Sequence, residues 1–240
     1  ISVIVGAGGA NPSIEAETEE SDDFLEAEPK LYEYVFLIDR SGSMSGKSID
    51  LAVQALKLFI HSLPEGSKFN VVSYGSNYIK LFPKSAPYNE ESFKIAIEAV
   101  STFDADLGGT EIYEPMQDVL KEEADPSLPR HIYLLTDGAV GNTQQIVDLI
   151  KKNREQCHVH TFGIGSGAST ELIKNCALAG HGHYSFIINV NEIERKVIEA
   201  LQKDHLEYLS IKNAAFLDAE EKTISSLPQD LDLTHSTKFN

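Results

Sequence analysis

The sequence contains only two cysteines and no apolar run that approaches the roughly 20 residues needed to cross a bilayer. Cys157 and Cys176 cannot form the multi-bridge framework of a small secreted domain, and their predicted positions, in a strand and a helix, indicate buried thiols. Residues 1–5 are apolar but too short for a signal peptide, and they lack its basic flank. We therefore expect no membrane insertion and favour a cytoplasmic setting, with secretion as the alternative.

Positive charge is also scarce, because 20 Lys and Arg residues stand against 37 Asp and Glu residues and give a formal charge of −17. Such a chain repels nucleic-acid backbones and anionic membranes. Its 240 residues, of which 42% are hydrophobic, are sufficient for one substantial core. We expect one main domain that does not bind nucleic acid and whose partners are cations or basic protein surfaces.

The charge pattern predicts three regions. Residues 15–28 hold eight acidic residues and no basic one, which indicates that residues 1–30 are a disordered linker. Residues 31–204 are predicted to form the main domain. Residues 205–240 begin with a strand-like alternation over 206–211 and then become polar, so we interpret them as the truncated start of a β-rich region.

Within the main domain, apolar runs typical of strands alternate with segments of helical periodicity. The predicted strands are 32–39, 69–74, 78–82, 131–136, 159–164 and 184–188. Because 78–82 follows its predecessor so closely, it is predicted as an antiparallel edge strand. The alternation predicts an α/β fold with a doubly wound, mostly parallel sheet and helices on both faces.

Polar residues predict where several of the helices begin. Asn89 and Thr143 are placed as caps of two helices. Asn191 and Glu194 are predicted to form a capping box for the last helix of the main domain.

Oxygen-bearing side chains follow three predicted secondary-structure boundaries. Asp39, Ser41 and Ser43 come directly after the first strand, Thr110 lies in a glycine-rich loop, and Asp137 follows a later strand. The carboxyl edge of an open α/β sheet is where ligands bind. Hard oxygens without a soft donor suit Mg²⁺, Mn²⁺ or Ca²⁺ rather than zinc, and an incoming carboxylate is a natural sixth ligand. The alternative interpretation is that these are ordinary capping turns.

The stretch Asp39-Arg40-Ser41-Gly42-Ser43 resembles the D-x-S-x-S motif of von Willebrand factor type A domains. Thr110 and Thr136-Asp137-Gly138 stand at the positions of that family's other two metal loops. The resemblance implies a metal-ion-dependent adhesion site in which Ser41, Ser43 and Thr110 bind the ion directly, while Asp39 and Asp137 bind it directly or through water. It also implies Asp106 as an outer acceptor, and Ala139 makes the rim less acidic than in many relatives.

Three further stretches indicate a subgroup of this family. Residues 62–66, 105–112 and 162–170 are similar to the intracellular subgroup related to inter-alpha-trypsin inhibitor heavy chains and to the vault-associated poly(ADP-ribose) polymerase. The subgroup implies that this chain is part of a larger multidomain protein. We expect a binding module without enzymatic activity, whose protein partner presents an Asp or Glu to the ion.

The sequence is also compatible with two other functions. The metal and its two aspartates could activate water for phosphoester hydrolysis, or the site could be vestigial in a purely structural domain. Separately, His158, His160, His181 and His183 fall near two neighbouring strand starts, where the alternatives are a zinc or copper site and ordinary surface histidines. The glycines of residues 163–168 imitate a dinucleotide fingerprint, but no acidic residue closes the following strand.

Overall fold

The computed structural model of the chain describes residues 31–138, 140–204, 215–217 and 223–226. Residues 31–203 fall within one compact unit, and the last two described segments belong to a second. The predicted acidic linker, residues 1–30, and the predicted strand over 206–211 lie outside the described residues. The domain boundaries expected from the sequence therefore stay predictions.

The first compact unit contains the following strands: β1 (Glu33–Asp39), β2 (Lys68–Tyr74), β3 (Tyr78–Lys80), β4 (Ala86–Pro87), β5 (Arg130–Thr136), β6 (Cys157–Ile164) and β7 (His181–Ile187). Its helices are α1 (Lys47–His61), α2 (Glu90–Ser101), α3 (Tyr113–Lys121), α4 (Thr143–Asn153), α5 (Thr170–Ala179) and α6 (Ile193–Asp204). In the part of the chain that the structure describes, no helix is long and apolar enough to span a bilayer. In the second unit, β8 (Ala215–Leu217) and β9 (Thr223–Ser226) form an antiparallel pair.

The strand order of the main sheet is β3-β2-β1-β5-β6-β7, and β4 also pairs with β2. The five longer strands are parallel to one another, whereas β3 and β4 run antiparallel to β2. This confirms the predicted α/β fold with a doubly wound, mostly parallel sheet. The sequence does not predict β4, which is two residues long and includes Pro87.

The order of strands reverses at β1, because β2 lies on one side of it and β5 on the other. Ligands of open α/β sheets bind at such a switch point, outside the carboxyl ends of the strands. Here those ends belong to Asp39 on β1 and Thr136 on β5. The topology therefore places Asp39 and Asp137, the residue after Thr136, on either side of the crevice.

Both faces of the sheet are covered by helices, so β1 is buried along its whole length. Tyr34, Phe36 and Ile38 pack in the core that also contains residues of α1, α2 and α6. Val35 and Leu37 pack in the opposite core, with residues of α3, α4 and α5. Because side chains alternate along a strand, the Asp39 carboxylate continues the second series.

The helix starts confirm one of the predicted caps and correct two others. Asn89 caps α2, since its side chain accepts from the Ser92 backbone N–H at 3.0 Å and the Ser92 hydroxyl accepts from the Asn89 N–H at 3.1 Å. The Thr143 prediction is wrong by one residue, because Asn142 occupies the cap position of α4. The capping box of Asn191 and Glu194 is also wrong, since Val190–Glu192 forms a 3-10 turn that runs directly into α6.

Candidate metal centre

Asp39 ends β1 and organises the turn that follows. Its Oδ1 accepts a hydrogen bond from the Ser41 backbone N–H at 2.8 Å. The next residues, Gly42–Met44, form a single 3-10 turn, which Met44 anchors by lying fully buried in the core. This local structure holds Ser41 and Ser43 at the carboxyl edge of the sheet, just before α1.

The side-chain oxygens of this turn meet those at the end of β5. Ser43 Oγ lies 3.1 Å from Ser41 Oγ and donates a hydrogen bond to Asp137 Oδ1 at 3.0 Å. Thr136 Oγ1 donates to Asp39 Oδ2 at 2.5 Å, which ties the ends of the two strands together. The fold thus brings together four of the five predicted ligands: Asp39, Ser41, Ser43 and Asp137.

Thr110, the fifth predicted ligand, lies on the loop between α2 and α3. That loop is fastened to the serine turn, because Gly42 N–H donates to Gly108 O at 2.8 Å and Leu107 N–H donates to Arg40 O at 3.0 Å. The Thr110 side chain is half-buried, and within the described residues it makes no hydrogen bond to the other four. Its role as a ligand stays a prediction.

The spacing of the oxygens suits a small divalent cation. Mg²⁺ binds oxygen at about 2.0–2.1 Å in an octahedron, so neighbouring ligand oxygens lie about 2.8–3.0 Å apart. The Ser41–Ser43 and Ser43–Asp137 distances are 3.1 and 3.0 Å. Among the described residues, no three His, Cys, Asp or Glu side chains are grouped to hold an ion, so neutral hydroxyls would have to complete this ligand set.

The electrostatics of Asp39 also favour a cation. Burial raises the pKa of the Asp39 carboxyl above its usual range, hydrogen bonds from Ser41 and Thr136 act against this rise, and the charge of Asp137 adds to it. A positive ion beside a carboxylate favours the ionised form. A bound cation would therefore relieve the unfavourable burial of this charge.

Arg40, inside the metal motif, clamps the loop that carries Thr110. Its guanidinium Nε donates to the Asp104 backbone O at 2.9 Å, its Nη2 pairs with Asp106 Oδ1 at 2.5 Å, and it lies 4.4 Å from the centre of the Phe103 ring. Asp106, which the family resemblance implies as an outer acceptor of the metal, thus has Arg40 as its described partner. These contacts of Arg40 hold the loop that carries Thr110 against the serine turn.

A turn after β2 holds the same loop from its other side. Ser76 N–H donates to Leu107 O at 2.6 Å, and Ser76 Oγ accepts from Gly109 N–H at 2.7 Å. At the preceding Gly75, a Cβ atom would lie 2.4 Å from the Leu107 backbone oxygen, well inside contact distance. A glycine is therefore required at position 75 for the two segments to approach.

Sequence reasoning missed three residues that support the site: Arg40, Tyr74 and Ser76. Arg40 could have been noticed, because it is a basic residue inside the motif and acidic residues occupy the facing loop. Tyr74 ends β2 in register with Asp39, and burial followed by the charge of Asp39 raises the pKa of its hydroxyl well above the usual range. No local sequence pattern signals this position, because it depends on the register between β1 and β2.

The histidines form a different arrangement from either alternative. His160 is fully buried, with Nδ1 2.7 Å from His183 Nδ1 and Nε2 3.0 Å from His131 Nδ1. His158 Nδ1 lies 3.3 Å from the His181 backbone O. Because His160 directs its two ring nitrogens to different neighbours, the nitrogens do not converge, and no metal-holding group is found in the described residues. The zinc or copper alternative is not supported, and His160 is a core residue rather than a surface one.

Comparisons with known proteins show the family and the fold of this chain. The family profile described as the von Willebrand factor type A domain matches residues 32–186. The chain is similar to a von Willebrand factor A domain-containing protein of Dictyostelium discoideum, with 42% identity over 169 residues that cover 70% of this chain and 18% of the relative. It is also similar to von Willebrand factor A domain-containing protein 5A of Rattus norvegicus, with 39% identity over 179 residues that cover 71% of this chain and 22% of the relative. The chain thus spans about a fifth of the length of these curated relatives.

Solved structures share the fold at low sequence identity. A von Willebrand factor type A protein from Catenulispora acidiphila aligns with a TM-score of 0.62 at 22% identity, covering 78% of this chain and 44% of that one. Proximal thread matrix protein 1 from the mussel byssus, solved with a zinc-occupied MIDAS motif, aligns with a TM-score of 0.56 at 15% identity, covering 71% of this chain and 47% of that one. Both likenesses show the α/β architecture.

Proposed function

Because the chain belongs to the von Willebrand factor type A domain family, we propose that residues 31–204 act as a divalent-cation-dependent module for protein–protein interaction. The cation is held by the predicted set of Asp39, Ser41, Ser43, Thr110 and Asp137, and a Glu or Asp of the partner completes its coordination. The observation that carries this proposal is the convergence of the Ser41, Ser43 and Asp137 oxygens, at 3.0–3.1 Å spacing, beside a buried carboxylate.

The ion we propose is Mg²⁺, with Mn²⁺ or Ca²⁺ as substitutes. Two carboxylates and three hydroxyls neutralise the formal charge of a divalent ion and leave one octahedral position open, which an incoming carboxylate can fill. The mussel byssus protein carries zinc at its MIDAS motif. Zinc therefore belongs among the ions to be compared, although the oxygen-only donor set here favours the harder cations.

We propose that no bond is broken at this site. A phosphohydrolase needs a cationic group to hold the transferring phosphoryl group. Arg40, the basic residue of the metal motif, is engaged by Asp106 and by the Asp104 carbonyl and is almost completely buried. These contacts support a structural role for Arg40 and a binding role for the site.

The wider setting is also a proposal. The curated relatives are about five times as long as the matched region, which supports a place in a larger multidomain protein. We propose that the chain belongs to the subgroup related to inter-alpha-trypsin inhibitor heavy chains, on the basis of residues 62–66, 105–112 and 162–170, and that it has an intact adhesion site and a cytoplasmic location. The acidic composition favours a partner that surrounds its metal-binding carboxylate with basic residues.

The test compares two serines of the same loop. Ser43 is a proposed ligand, whereas Ser45 is exposed and its Oγ donates to Gly42 O at 2.8 Å. We expect Ser43→Ala to abolish Mg²⁺ uptake in calorimetry and to abolish capture of partner protein from native extract. Ser45→Ala should retain both.

Partner capture in the presence of chelator and a phosphatase assay complete this test. Excess chelator should release the captured partner from the wild-type chain, and added Mg²⁺ should restore capture. Partner binding that persists equally in chelator or in the Ser43→Ala variant contradicts the proposal. Phosphatase turnover that disappears with Asp137→Ala would indicate an enzyme instead, and absence of ion uptake at millimolar Mg²⁺ and Mn²⁺ would indicate a vestigial site.

A further inference from the structure

Tyr74, the last residue of β2, lies beside the proposed cation site. It pairs in register with Asp39 on β1, so the two side chains share the sheet face that packs against α3, α4 and α5. Its side chain is fully buried in that core. The charges of Asp39 and Asp137 both reach its hydroxyl. The tyrosine oxygen therefore lies near the oxygen cluster.

The Tyr74 hydroxyl has no hydrogen-bond partner in the described part of the chain. The Thr136 side chain lies close enough to lower the pKa of Tyr74 as a hydrogen-bond partner does, but the contact falls short of the distance or angle of a fully formed hydrogen bond. A buried hydroxyl normally finds a partner, because removing it from water without one is unfavourable. A phenylalanine would fill the same space without that loss. Because it lies beside Asp39, this hydroxyl points to a role in another state of the site.

Thr136 connects this hydroxyl to the metal site. Its Oγ1 donates to Asp39 Oδ2 at 2.5 Å and accepts from the Gly138 backbone N–H at 2.8 Å. A hydroxyl oxygen has two acceptor positions, so one remains for a further donor. A donor at that position would orient the Thr136 hydroxyl and strengthen its bond to Asp39.

Resting on the cation site proposed above, we propose that Tyr74 is a positioning residue of that site and acts through Thr136. When a cation is bound, the Tyr74 hydroxyl donates to Thr136 Oγ1, and Thr136 in turn fixes the orientation of the Asp39 carboxylate. Without the cation, in this proposal, the Tyr74–Thr136 contact stays short of a fully formed hydrogen bond. The two states then differ by one buried hydrogen bond, which favours cation binding.

The variant that tests this role is Tyr74→Phe in the full chain, with Mg²⁺ as the probe. We expect Mg²⁺ affinity in calorimetry to fall about tenfold, the size typical for loss of a group that orients a metal ligand. The midpoint of unfolding in chelator should not fall, because the removed hydroxyl has no partner there. A purely structural tyrosine would give the reverse pattern, with lower metal-free stability and unchanged Mg²⁺ affinity.

Ser67 provides a matched control at the opposite end of the same strand. It directly precedes β2, is fully buried, and its Oγ also lacks a hydrogen-bond partner in the described part of the chain. Ser67→Ala therefore removes a comparable hydroxyl about 23 Å away along the strand, at 3.3 Å per residue. We expect its Mg²⁺ affinity to equal that of the wild type.

A double-mutant cycle tests whether Tyr74 acts through Thr136. In a Thr136→Val background, Tyr74→Phe should cause no further loss of Mg²⁺ affinity, since the acceptor is already absent. An additive loss overturns the proposed route. If the wild type and Tyr74→Phe bind Mg²⁺ equally, the inference about Tyr74 fails while the cation site stands. If the wild type takes up no Mg²⁺, both proposals fail.

Discussion

Asp39 is an unfavourable charge in the metal-free protein, because its carboxylate is fully buried and faces a second carboxylate at Asp137. Hydrogen bonds from Ser41 and Thr136 offset this only in part, since the pKa of Asp39 remains raised. A cation between the two carboxylates would attract both of them and offset their mutual repulsion. At the scale of single residues, the buried charge of Asp39 therefore destabilises the fold, and the proposed cation would offset that effect.

Asp39→Asn separates these two effects. The amide has the shape of the carboxylate without its charge, so we expect the midpoint of unfolding in chelator to equal or exceed that of the wild type. Wild-type protein should gain about 2.7 kcal/mol when Mg²⁺ is present at 100 times its dissociation constant. The variant should gain nothing. Thermal unfolding with and without Mg²⁺ measures both quantities, and a variant that still responds to Mg²⁺ would contradict the assignment of Asp39.

At the scale of elements, the loop that carries Thr110 is held on both sides. Arg40 and Gly42 bind it from the serine turn, and the Gly75–Ser76 turn binds it from the end of β2. The carbonyl of Gly75 also accepts from the Glu111 N–H at 2.9 Å. The loop is thus positioned by neighbouring backbone before any ion arrives, as a preorganised ligand requires.

Gly75→Ala should disturb this arrangement without touching a proposed ligand. The new Cβ would lie 2.4 Å from the Leu107 Cβ and backbone oxygen, so the loop must move. We expect a loss of about 1–3 kcal/mol in the free energy of unfolding, typical of overpacking, together with weaker Mg²⁺ binding. Gly141→Ala is the control, because a Cβ there meets no atom within 4 Å. Equal behaviour of the two variants in denaturant unfolding and calorimetry would refute the proposed positioning.

The sequence predicts the elements of this site better than the contacts between them. An apolar run that ends in an aspartate is visible at Asp39 and Asp137, and parallel-sheet geometry brings such ends together. The Arg40–Asp106 pair joins residues 66 positions apart, so no local pattern reveals it. The cap prediction for α4 failed for a different reason: Asn142 and Thr143 are adjacent and both able to cap, and propensity does not choose between them.

At the scale of the whole molecule, two polar regions lie toward opposite ends of the strands of the main sheet. The oxygen cluster lies at the carboxyl ends of β1 and β5, whereas the histidines lie toward the amino ends of β5, β6 and β7. His160 sits at the centre of the second region, stacked at 5.1 Å on His131 and at 4.9 Å on Tyr133. Burial, followed by the nearby charges of His183, His131, His158 and Lys203, lowers its pKa well below 6.5. His160 is therefore neutral in the folded protein at physiological pH.

The burial of His160 makes the free energy of unfolding depend on pH. The unfolded chain takes up a proton at His160 near pH 6.5, whereas the folded chain does so only at much lower pH. The contribution of neutral His160 to the free energy of unfolding is therefore complete above about pH 6.5. It declines as the pH falls below that value, by up to about 1.4 kcal/mol per pH unit for one proton. The raised pKa of Asp39 acts in the opposite direction and over a more acidic range, since protonation relieves its buried charge.

Denaturant unfolding in chelator between pH 7.5 and pH 5, a range set by the reference histidine pKa of about 6.5, measures this dependence. We expect His160→Gln to lower stability at pH 7.5 and to flatten the decline below pH 6.5, because the variant has no imidazole to protonate on unfolding. His61→Gln is the control: His61 is exposed at the end of α1 and packs on Phe93 at 4.7 Å. It should leave the decline unchanged. A wild-type stability that does not fall below pH 6.5, or an equal decline in both variants, would show that His160 is not the group responsible.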